Sequence, residues 1–82
     1  MHASEVKTLL EEKIENAQVS VEGEGCDFRL TVVSSIFAGC MPVKRQQIVY
    51  KHLDEMIRAG AIHAVTMHTF TPEEWDARQG QN

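Results

Sequence analysis

Apolar positions along the chain switch between helical and extended spacing. Val6, Leu9, Leu10, Ile14 and Ala17 recur every three or four residues, with Glu11, Glu12, Lys13 and Glu15 between them. That period predicts an amphipathic helix, with Ser4 as its expected cap. Gln18 to Glu22 alternates weakly and Gly23-Glu24-Gly25 supplies a turn. From Asp27 to Ser34, Phe28, Leu30 and Val32 share one face, opposite Arg29, Thr31 and Val33. Period two marks strands, and these two are expected to pair as a hairpin.

Ser35 to Met41 is a loop of small residues, the kind of segment in which function often sits. Pro42 suits the first turn of a second helix, whose stripe is Ile48, Val49, Leu53, Met56 and Ile57 and whose stop is Gly60. Ala61 to Thr69 is expected as a third strand. Thr71-Pro72-Glu73-Glu74 then has the spacing of a capping box, with Phe70 set to staple onto Trp75. The polar tail after Arg78 is expected to fray, leaving an ordered core of about residues 4–78. The order is α-β-β-α-β-α. A helix joins the second strand to the third, so those two should run parallel. The expected class is α+β: a single domain over residues 1–82, with a three-stranded mixed sheet covered by helices on one face.

Composition narrows the function. Eighty-two residues leave no room for a second core, and a domain this short gains stability from a partner or a second copy, so a homodimer is one expectation. Twelve acidic residues against eight basic ones give a net charge of −4, the wrong balance for a protein that lives on nucleic-acid phosphates. Cys26 and Cys40 form no Cys-x-x-Cys pair, which argues against a disulfide scaffold or a zinc ribbon. No apolar run is long enough to span a membrane and the start does not read as a signal peptide, so a cytoplasmic protein is expected. No Ser-His-Asp pattern, P-loop or metal-hydrolase motif occurs, so catalysis is not expected.

Ile62-His63-Ala64-Val65 followed by Thr69-Phe70-Thr71-Pro72-Glu73-Glu74-Trp75 resembles the C-terminal signature of the BolA family. Phe37-Ala38-Gly39 and Val43-Lys44-Arg45-Gln46-Gln47-Ile48-Val49-Tyr50 are similar to its loop-and-helix segment, and Gly25-Cys26-Asp27-Phe28 falls at its variable His-or-Cys loop. The resemblance runs from about residue 5 to residue 75. It implies the α-β-β-α-β-α fold, similar to a type II K-homology domain. Many members carry Arg-His-Arg where this chain has Arg45-Gln46-Gln47, and the version here looks more like the bacterial acid-stress branch.

The resemblance also implies a site. In the family, a BolA protein and a monothiol glutaredoxin share a 2Fe-2S cluster together with glutathione. Here the implied ligands are His63 and Cys26, and the isolated chain would hold no cluster. Taken as residues alone, His63 also reads as a strand histidine satisfied by hydrogen bonds, and Cys26 as an incidental surface thiol. His68 should face away from His63, His52 sits inside a helix, and Cys40 is expected to be non-ligating. Lys44, Arg45, Gln47, Lys51 and Arg58 outline a weak nucleic-acid or glutathione contact; a solvated face balanced by Asp54 and Glu55 is the simpler reading. The chain has no Gly-x-x-Gly loop with which K-homology domains clamp a nucleic-acid backbone. DNA contact of a transcriptional regulator remains the second reading, with weak binding expected.

Overall fold

A computed structural model describes residues 2–23, 27–62 and 64–79. Its elements are α1 (Ala3–Lys13), β1 (Gln18–Glu22), β2 (Asp27–Val33), a 3-10 turn (Ser35–Phe37), α2 (Pro42–Arg58), β3 (Ala64–Phe70) and α3 (Pro72–Gln79). The sheet order is β1-β2-β3, with β1 antiparallel to β2 and β2 parallel to β3. This is the expected mixed sheet.

Register decides which side is core. Val19 pairs with Val32, Val21 with Leu30, and Leu30 with Met67, so one face is a continuous apolar surface. Val6 and Leu10 from α1, Ile14 at its C-terminal cap, and Val49 and Leu53 from α2 close over it, each at most 1% exposed. The opposite face carries exposed Arg29, Thr66 and His68. At its end Phe70 meets Trp75 of α3, ring centroids 5.3 Å apart. Trp75 is half-buried and stands outside the main core cluster.

Several boundaries differ from the sequence reading, each for a local reason. Helix α1 begins at Ala3 after His2, so Ser4 lies inside the first turn and does not cap it. The third strand begins at Ala64 rather than Ala61. Gly60, at φ 77°, closes α2 with a left-handed residue, and the Ala61 N–H donates to the Met56 carbonyl at 2.9 Å. With that donor turned back on α2, Ala61 has none to offer a strand. Ile57, expected in the buried stripe, is 37% exposed.

The Ser35–Met41 loop is more structural than its small residues suggest. The Ser34 side chain is fully buried; its hydroxyl donates to the Glu15 carbonyl at 2.6 Å and accepts from the Ile36 N–H at 3.2 Å. That starts the 3-10 turn, which drops Phe37 into the core at 0% exposure.

The capping box of α3 forms as expected. The Glu74 N–H donates to Thr71 Oγ1 at 3.2 Å, and the Thr71 N–H donates to Glu74 Oε1 at 2.8 Å. Thr71→Ala should cost about 1 kcal/mol, measured by chemical denaturation. An unchanged midpoint would mean that the capping box adds nothing to the docking of α3.

Candidate functional site

The two implied ligands, Cys26 and His63, both lie outside the described residues. The residues that follow them in the chain do not. Asp27 opens β2, Ala64 opens β3, and the parallel register makes these two Cα partners. The topology therefore sets side by side two strand starts that are far apart in sequence. Parallel pairing through the α2 crossover is what accomplishes this; an antiparallel arrangement would put the start of one strand against the end of the other.

Among the described residues no group of three or more His, Cys, Asp or Glu side chains gathers to hold a metal. His68 is exposed on the face opposite Val65 and Met67, which pack toward the core. Cys40 is half-buried, its thiol 3.7 Å from the Ile36 carbonyl it can donate to. The imidazole of His52 is half-buried on α2, and burial first, then the charges of Lys51 and Lys13, hold its pKa below the usual histidine value.

The expected basic face loses its central member. Arg45 is turned off the Lys44–Lys51 stripe because consecutive helical residues point about 100° apart. Its guanidinium grips Glu74 of α3, Nη1 to Oε1 at 2.6 Å and Nη2 to Oε2 at 3.3 Å, while Nε donates to the Cys40 carbonyl at 3.0 Å. With its side chain only 12% exposed, Arg45 ties α3 to the start of α2. Arg58 bridges Asp54 at 3.0 Å, which leaves Lys44, Gln47 and Lys51 as the exposed polar stripe. A second stripe went unread in the sequence: Val43, Tyr50 and Ile57 recur every seventh residue of α2, at 65%, 40% and 37% exposure. The heptad spacing was its available signal.

Arg45 acts on Glu74 electrostatically as well. Its hydrogen bond is the leading cause that lowers the Glu74 pKa, followed by the Thr71 N–H. A carboxylate whose pKa is lower in the folded than in the unfolded chain stabilises the fold above the ordinary glutamate range. That contribution fades as pH falls through the lowered value. Glu74 is open to water, so screening keeps the effect modest. Arg45→Ala should therefore lower the melting temperature at neutral pH, with the gap from wild type narrowing in strong acid. A gap that is independent of pH would mean that Arg45 acts through packing and the Cys40 carbonyl alone.

The order of elements and the register of the sheet are those of a small α+β domain with a three-stranded mixed sheet. A sequence profile described as BolA-like protein matches residues 2–74. The chain belongs to the BolA family. Among its relatives is the acid stress protein IbaG of Escherichia coli, 37% identical over 75 residues, which covers 92% of this chain and 89% of that one. The DNA-binding transcriptional regulator BolA of Vibrio cholerae is 43% identical over 53 residues, 65% of this chain and 49% of that protein. A BolA homologue of known structure from Coxiella burnetii superposes with a TM-score of 0.83 at 28% identity, covering 93% of this chain and 97% of that one.

Proposed function

We propose that this protein is a non-catalytic cytoplasmic adaptor that holds one side of a 2Fe-2S cluster shared with a monothiol glutaredoxin and glutathione. The cluster is its cargo. What supports the reading is family membership together with one structural observation: Asp27 and Ala64, the neighbours of Cys26 and His63 in the chain, are register partners at adjacent strand starts. A thiolate and an imidazole are both donors that such clusters accept, and an imidazole in place of a thiolate raises the reduction potential. Two ligands from this chain complete one iron; the other needs two from outside.

The decisive experiment is anaerobic co-purification with a monothiol glutaredoxin and glutathione. The expected result is a coloured heterocomplex, with the isolated chain colourless. A stable cluster in the isolated chain, or a glutaredoxin that keeps its cluster and ignores this protein, would rule out the shared arrangement. The IbaG relative supports placing the adaptor in an acid-stress response.

The Vibrio cholerae relative favours a second reading, that of a DNA-binding regulator. With Arg45 committed to Glu74 and Arg58 to Asp54, the cations left on α2 are Lys44 and Lys51. At about 0.9 per phosphate, two contacts limit the log–log salt slope to about −1.8. DNA binding should thus be weak, blind to sequence and lost at physiological salt. Sequence-specific nanomolar binding in filter or anisotropy assays at that salt would promote the regulator.

A further inference from the structure

The end of α1 and the C-terminal half of α2 flank an open cleft of 530 Å³ on which the proposed function makes no demand. Leu9 and Met56 give it an apolar wall, while Lys13, Lys51 and His52 converge on it from the two helices. Its other charged residues are Asp54, Glu55 and Arg58, all on α2. Asp54 and Arg58 neutralise each other at 3.0 Å. Neither lysine makes an ion pair among the described residues. Glu55 offsets one of them, so the cleft keeps a positive charge that grows when His52 takes a proton. Burial first, then the charges of Lys51 and Lys13, make the imidazole of His52 resist protonation.

We propose that the α1–α2 cleft binds a phosphate monoester, its dianionic head held by Lys13, Lys51 and His52. Ammonium groups meet phosphate oxygens as compact point charges, and an imidazolium adds a directed donor. The volume exceeds what a phosphate head fills, and the wall of Leu9 and Met56 suits the organic part of an ester. The cleft is lined from α1 and α2 alone and takes no residue from β2 or β3, so the proposal stands whether or not a cluster is shared at the strand starts.

The histidine ring signals of the full chain report on it by NMR. Chloride is replaced by inorganic phosphate, then by glycerol phosphate, at constant ionic strength, and the titration midpoint of each histidine is followed. His52 should move up by roughly half a unit to one unit, saturably, while exposed His2 and His68 barely move. Lys13→Ala and Lys51→Ala should each weaken binding several-fold, whereas Lys44→Ala, on α2 but outside the cleft, should not. Thermal melts of the three exposed-lysine variants establish that they are folded. A His52 shift no larger than those of His2 and His68, or wild-type binding by Lys13→Ala, overturns the site. An oligonucleotide without a terminal phosphate that moves His52 where the monoester does not overturns the monoester assignment.

Discussion

Phe37→Ala should remove a large share of the protein's stability. The ring is 0% exposed and belongs to the same buried cluster as Leu10, Leu53 and Ile62. It reaches that position from a single 3-10 turn, which the Ser34 hydroxyl starts and the Phe37 N–H closes on the Ser34 carbonyl at 3.2 Å. Truncating a buried phenylalanine costs about 3–5 kcal/mol, because the surrounding groups cannot collapse into the space. A chain of this length has about 4–12 kcal/mol to lose. Urea denaturation followed by the fluorescence of Trp75, the chain's one tryptophan, measures the change. Phe37→Leu keeps most of the volume and should lose much less. If the alanine variant stayed within 1 kcal/mol of wild type, the turn would be a surface loop and not part of the core.

That the loop's aromatic residue supports the core was not legible from periodicity, since one apolar residue among Ser, Ala and Gly sets no period. Local signals were legible. The capping box at Thr71 and Glu74, the staple of Phe70 on Trp75 and the stop at Gly60 all depend on residues within five positions of one another. The sheet was legible too, because alternation at Phe28, Leu30 and Val32 names the buried face and the α2 crossover dictates a parallel partner. Contacts between distant residues were not. Arg45 stands next to Lys44 in sequence and was grouped with it, yet it reaches across to Glu74, 29 residues on. Likewise Lys13 and His52 share a cleft only because α1 and α2 pack together. As for Cys26 and His63, the residues alone left them ordinary; only the family resemblance singled them out, and the register of their neighbours is what the fold contributes.

Replacing His63 by Ala should abolish or sharply alter the visible spectrum of the complex with a monothiol glutaredoxin, while leaving the complex itself assembled. The reasoning starts from ligand count. Two irons need four ligands beyond the bridging sulfides, and in the proposed arrangement this chain offers one thiolate and one imidazole. Losing one leaves an iron with an open position, which water or a thiol then takes, so the cluster becomes labile and its absorption and circular dichroism change. Cys26→Ser should act in the same direction. His63→Cys separates ligation from mere proximity, since it restores a donor; the cluster should persist with a lower reduction potential, as thiolate replaces imidazole. Far-ultraviolet circular dichroism and the melting temperature of the apo variants provide the structural control and should stay near wild type. Unchanged spectra and cluster lifetime in His63→Ala would remove His63 from the ligand set. The register of Asp27 with Ala64 would then be a feature of the sheet and nothing more.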